Sequence, residues 1–202
     1  MKKHALILST LALAAALTAT LVGCQGQKSP EELIKADLTQ QFDEVKNADS
    51  DSWSEEFGMT NEDFAELGVD ANQFMSAYLD GFDYKIGDIT VDKDKGTATA
   101  KVDITCKQFD EIFSTWFGTY LGKAMSMLDA SEEEITKLAG ETLMDATKSA
   151  TAKTVACELA YAKNFEGEWE ADQDVFETQL YHAMGLETLL GLDEDAQPAN
   201  AA

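Results

Sequence analysis

The chain contains no arginine. All 15 of its Lys+Arg residues are lysines, set against 38 aspartates and glutamates, for a formal net charge of −23. Nucleic-acid binders displace counterions from phosphates with a basic face, and this chain carries the opposite sign. Without guanidinium groups it also lacks the planar fork that grips phosphate or carboxylate in two places at once. Nucleic acid is excluded as a partner. Histidine is nearly as scarce: there are two in 202 residues, and His4 sits in the opening segment. A zinc centre, or a Ser-His-Asp or Cys-His relay, would have to be assembled around His182. No H-E-x-x-H, paired C-x-x-C, P-loop or G-x-G-x-x-G is present, so no metal, cofactor or catalytic residue is expected. Carboxylates are so abundant that finding two together selects no chemistry.

What is present begins at the amino terminus. Lys2 and Lys3 precede an apolar run from Ala5 to Thr20, closed by Leu21-Val22-Gly23-Cys24. A basic start, an apolar stretch and small residues before a cut mark a secretory signal. The run is shorter than the ~20 residues a spanning helix needs. With Cys directly after the small residues, the segment resembles the bacterial lipoprotein signal, with Leu21 to Cys24 as its lipobox. The resemblance implies that the Cys24 thiol receives a diacylglycerol and that cleavage precedes it. The domain would then be held on the extracytoplasmic face of the cell membrane. Two acyl chains suffice for stable anchoring. An acidic body is repelled by anionic headgroups, so the lipid and not the protein surface makes the attachment.

The organisation that follows is residues 1–23 as signal peptide, 24–29 as lipidated terminus and spacer, 30–192 as one domain, and 193–202 as a disordered acidic tail. Ser29 with Glu32 predicts a capping box, and Ile34, Leu38, Phe42 and Val45 follow at helical spacing. Residues 53–81 read as short helices capped at Thr60 and Asp70, with Trp53, Phe57, Phe64, Leu67, Phe74 and Tyr78 as core. From Phe82 the period becomes two, and a change of parity at Gly87-Asp88 predicts a β-bulge. Asp92 to Gly96 begins like a calcium loop, but the fifth, sixth and twelfth positions are Gly96, Thr97 and Asp103, so a hairpin turn is the reading. The returning strand places Ala98, Ala100, Val102, Ile104 and Cys106 inward, with Lys101 and Lys107 outward.

Phe109, Ile112, Phe113, Trp116, Phe117, Tyr120, Leu121, Met125 and Leu128 form one broad helical stripe. It predicts a helix laid across the sheet, with Gly118 and Gly122 permitting close approach. The same stripe suggests a pocket wall for an apolar ligand, made by Phe113, Trp116 and Tyr120 with Tyr84 and Tyr161 from the strands. Ser131 and Glu134 predict another capping box. Strands around Val155 to Tyr161 and at Trp169 to Ala171 follow, and a last helix carries Val175, Phe176, Leu180, Ala183, Met184 and Leu189-Leu190. Cys106 and Cys157 share the inward parity of their strands. A bridge between them would form if the register brought them opposite; otherwise they are buried thiols.

These elements give an α+β fold, an antiparallel sheet of three to four strands packed on one face by helices. The hairpin Phe82–Val91 with Gly96–Val102, the two helices around Ser131–Glu134 and the closing Thr154–Trp169 resemble a group of Gram-positive lipoproteins. Their domain is similar to cystatin or nuclear transport factor 2, a cone of strands around helices. The resemblance implies an extracytoplasmic lipoprotein without a known activity. The expected function is a non-catalytic binding module for a small apolar ligand or an envelope partner protein. The alternative is an isomerase- or dehydratase-like enzyme, in which Tyr84, Tyr120 or Tyr161 meets a carboxylate in an open cavity.

Overall fold

The computed structural model describes residues 28–51 and 60–187. The signal segment with Cys24, Trp53 and Phe57, Leu189-Leu190 and the acidic tail lie outside the described residues. Helix α1 (Pro30–Lys46) starts with the reciprocal Ser29/Glu32 capping box. Helix α2 (Asn61–Glu66) has its own box from Thr60 and Asp63, and α3 (Ala71–Leu79) is capped by Asp70. In each case a side-chain oxygen takes an amide that the first helical turn leaves unpaired.

The hairpin of β1 (Asp83–Asp92) and β2 (Thr97–Cys106) pairs Ile86 with Val102 and then Ile89 with Ala100. Gly87 and Asp88 therefore stand opposite Lys101 alone, which is the bulge that the change of parity predicts. A Cβ on Gly87 would lie 3.3 Å from the Lys101 carbonyl oxygen, so a larger residue at the bulge would require the paired strand to give by a few tenths of an ångström. At the hairpin turn, Asp92 Oδ1 accepts the amides of Asp94 and Lys95, both at 3.1 Å. That carboxylate serves the turn.

After β2 come α4 (Phe109–Ala124) and α5 (Glu132–Ser149), then β3 (Lys153–Lys163), β4 (Trp169–Ala171) and α6 (Gln173–Met184). The four strands lie in sequence order and every pair is antiparallel. One face buries Ala98, Ala100, Val102, Ile104, Cys106, Cys157, Leu159 and Tyr161. The other presents Thr99, Lys101, Asp103 and Glu158 to solvent. This is the α+β sheet with one wet face that the alternation predicts.

Helices α1 and α6 cover the buried face. Tyr161 donates its hydroxyl to Asp37 at 2.6 Å, and Tyr84 donates to Asp43 at 2.9 Å, fastening α1 to the sheet at two points. Lys46 at the far end of α1 pairs with exposed Asp83, where β1 begins. The α6 helix ends at Gly185 (φ +66), where Leu186 N–H donates to Tyr181 and Gly185 N–H to His182. Those two bonds are the Schellman closure, which asks for a left-handed residue and therefore for glycine.

Two expectations are corrected here. The strongest stripe does not lie across the sheet: α4 packs on α5, at the end of the sheet where β2 leaves and β3 enters. Gly118 and Gly122 have no non-local atom within 4 Å of a built Cβ, so they mediate no close approach. A helix with one packing neighbour buries one narrow strip, and in α4 the fully buried residue is Ile112. The glycine that does permit contact is Gly140 of α5, where a Cβ would lie 2.4 Å from the Leu67 carbonyl oxygen. The second correction is Lys107, expected outward. It is 4 % exposed, because its strand has ended and the chain is turning between two helix termini.

Candidate functional site

Three features were candidates: the cysteine pair, the aromatic pocket and the surface of α4. The register sets Cys106 opposite Lys153 and Cys157 opposite Val102. Four residues along a strand is roughly 13 Å, whereas bridged cysteines need Cα atoms about 4.4–6.8 Å apart. Both are free thiols. They instead face α6: Cys106 Sγ donates to the Ala183 carbonyl at 3.1 Å, and Cys157 Sγ donates toward Gln179 at 3.7 Å. Ala183 and Met184 are in the last turn of α6, whose carbonyls have no helical partner. The Cys106 thiol takes the first and the Tyr78 hydroxyl, at 3.1 Å, takes the second.

Burial pushes the Cys106 thiol up to about 12 and the Cys157 thiol to about 11, and it also raises Tyr78 and Tyr161. These groups are neutral in the folded chain at neutral pH, so iodoacetamide at pH 8 should alkylate neither thiol until the protein is denatured. The sign of the pH dependence follows. Below pH 9 the thiols are protonated whether folded or not, and their contribution is intact. Above it the unfolded chain ionises first, binds fewer protons than the folded one, and stability falls toward pH 11 and 12. A urea midpoint that rose between pH 9 and 11 would contradict the assignment.

The residues proposed as a pocket wall are not brought together. Tyr161 is buried against α1 and Tyr84 stacks on Phe42 with ring centroids 4.9 Å apart, both beneath the sheet. Phe113, Trp116 and Tyr120 belong to the α4–α5 pair. Trp116 donates its indole N–H to the Ala139 carbonyl at 2.9 Å, which stitches α4 to α5. Between these helices runs an open groove of about 490 Å³, lined by Thr115, Thr119, Thr142, Asp145, Lys148 and Ser149. None of the five aromatic candidates lines it, and Ala146 stands among the threonines and charged residues that do.

What the stripe does form is a ridge. Phe113 and Phe117 are each 47 % exposed, Leu121 42 %, Met125 75 % and Leu128 89 %. The rings run outward from the core in a ladder: buried Tyr78 meets Phe109 edge-on at 6.2 Å, Phe109 stacks near Phe113 at 6.3 Å, and Phe113 on Phe117 at 6.1 Å. From Ile112 to Gly122 the helix carries no charged residue. Scattered surface leucines need no explanation, but a contiguous apolar ridge on so acidic a protein makes α4 the candidate contact surface.

Lys107 is the residue that sequence reasoning missed. Its ammonium donates to Ala77 of α3 at 2.7 Å and to Thr147 of α5 at 3.0 Å. Both carbonyls lie in the last turns of their helices, where a cation complements the dipoles. Asp80, 4.0 Å away and 83 % exposed, is a peripheral partner. The available signal was position: a lysine between the end of an alternating strand and the start of a helix.

No protein-family model matches this chain, and no curated protein does. Among solved structures, it is similar to a Bacillus subtilis chain, ycdA, described as a lipoprotein, at 15 % identity and a TM-score of 0.40. The match covers 79 % of this chain and 51 % of the other, so this chain spans about half the length of that relative. A likeness that low transfers neither a fold name nor a role.

Proposed function

We propose that the chain is a lipid-anchored extracytoplasmic protein whose domain binds an envelope partner protein without catalysis. The observation that carries this reading is Leu21-Val22-Gly23-Cys24 at the end of a short apolar run with a basic start. No helix among the described residues is long and apolar enough to cross a membrane, so the lipid on Cys24 is the anchor in this reading.

The fold supports an orientation. Helix α1 begins six residues after Cys24, and its far end is fixed by Lys46 pairing with Asp83 at the start of β1, so its first turn points toward the β1–β2 turn. The anchor therefore enters at the turn end of the sheet, while α4 and α5 are inserted at the opposite end. Tethered this way, the α4 ridge faces away from the bilayer, toward a protein partner. A small apolar ligand is the weaker choice, because the aromatic side chains of α4 project outward instead of enclosing a cavity. The enzyme alternative needs a tyrosine and a carboxylate in an open cavity; Tyr84 and Tyr161 have committed their hydroxyls to Asp43 and Asp37 of α1. A helix held across the buried face of a four-stranded antiparallel sheet is the arrangement a cystatin-like reading asks for.

Labelling with palmitate in a bacterial host tests the anchor. The wild-type chain should take up label and sediment with membranes, and Cys24→Ala should do neither. Unlabelled wild-type protein that keeps Met1 would overturn the reading.

A further inference from the structure

Helix α4 carries three neighbouring rows of side chains spaced four residues apart. The row of Ile112 and Trp116 is the packed one: Ile112 is buried, and Trp116 donates to Ala139 of α5. Beside it run Phe113, Phe117, Leu121 and Met125, which are 42–75 % exposed. Next to these lie Ser114, Gly118 and Gly122, all exposed, and no non-local atom stands within 4 Å of a Cβ built on either glycine. The close approach that the two glycines permit is therefore left unused inside the chain. A raised row next to a low one is its own complement. Turned about a two-fold axis, the high row of one helix enters the low row of an identical helix.

We propose that two copies of this chain associate through α4, the Phe113–Met125 row of each seated in the Ser114–Gly122 row of the other. Charge favours a second copy over a basic partner. From Ile112 to Gly122 the helix offers no carboxylate, so a cationic surface finds no ion to pair with there. An identical uncharged face has no ion to desolvate. The area is sufficient. The exposed side chains of the ridge, Leu128 included, present roughly 600 Å² of apolar surface, so two copies bury about 1,200 Å², where stable specific interfaces begin. The ridge is also ordered in advance, because the Phe113 and Phe117 rings stack within 6° of parallel and seating them costs little side-chain freedom. The inference rests on the reading of the domain as a protein-binding module and names the protein it binds; it does not depend on lipid at Cys24.

Sedimentation equilibrium of the full chain in a density-matched zwitterionic detergent tests the proposal. The parent should show a reversible monomer–dimer equilibrium. Phe117→Asp interrupts the ridge and Gly118→Leu fills the groove, and each should weaken association at least ten-fold. Both positions are exposed, and circular dichroism checks that the monomer keeps its fold. Each copy carries a formal net charge of −23, so association should tighten as sodium chloride rises from about 0.05 to 0.5 M. In a Cys24→Ala background the remaining native thiols are buried, and Gly118→Cys should form a disulfide with its own mate under mild oxidation. A monomer under all these conditions, no cross-link at position 118, or association that weakens with salt would overturn the proposal. So would a dimer indifferent to Phe117→Asp and Gly118→Leu, as one held by the amino-terminal segment or its lipid would be. Palmitate labelling is read separately, so a failed dimer leaves the anchor standing and a failed anchor leaves the dimer.

Discussion

Replacing Lys107 with methionine should lower the melting temperature by roughly 6–12 °C, the equivalent of about 3 kcal/mol in a chain of this size. Methionine fills much of the space of the lysine stem but donates nothing. The Ala77 and Thr147 carbonyls, now bonded at 2.7 and 3.0 Å, would be left in a site that is 4 % exposed. Hydrogen bonds from a charged donor contribute about 1.5–3 kcal/mol each, and a buried acceptor left without one costs about 1–3 kcal/mol. Asp80→Asn is the control. Its carboxylate is 4.0 Å from the ammonium and largely in water, so its loss should cost less than about 0.5 kcal/mol. If Asp80→Asn destabilised as much as Lys107→Met, the lysine would be acting as half of an ion pair and not as a cap for two helices.

Gly140→Ala should destabilise by about 2–3 kcal/mol, against the usual sign for such a change within a helix. Alanine ordinarily improves a helix by about 1 kcal/mol over glycine. Here the new Cβ would lie 2.4 Å from the Leu67 oxygen and 3.0 Å from that of Gly68. Both are backbone atoms of the turn between α2 and α3, so relief requires α5 to move away from that turn. Gly118→Ala and Gly122→Ala provide the contrast, since nothing lies within 4 Å of either position. Each should stabilise by about 0.5–1 kcal/mol. Urea unfolding midpoints of the three variants separate the cases; a Gly140→Ala protein as stable as the parent would mean that α5 is not held against the turn.

These two variants also mark the boundary of what sequence patterns convey. Capping at Ser29, Thr60, Asp70 and Ser131 was legible because a cap depends on residues within three positions of it. The bulge at Gly87-Asp88 was legible because inward and outward sides alternate, so an extra residue must reverse the parity. The glycine pair of α4 misled for the complementary reason. A small residue reveals that close approach is permitted, and Gly118 and Gly140 carry the same permission in the sequence. Cys106 and Cys157 shared a face as their parity predicts, but their offset along it came from strand register. Of the pocket residues, Tyr84 and Tyr161 went to α1, and Phe113, Trp116 and Tyr120 to the α4–α5 pair.

The amino-acid order by itself determined the acidic character, the lipobox-like opening, the position of nearly every helix and strand, and which strand face is buried. Each depends on neighbours within a few residues. Only the tertiary structure decided that α5, and not the sheet, receives α4, leaving Phe113, Phe117, Leu121, Met125 and Leu128 exposed. A stripe states how much of a helix is apolar, but the area its neighbours offer determines how much of that stripe is covered. Lys107 obeys the same logic in reverse: its burial became favourable when two distant helix ends converged on it and supplied the carbonyls that replace water.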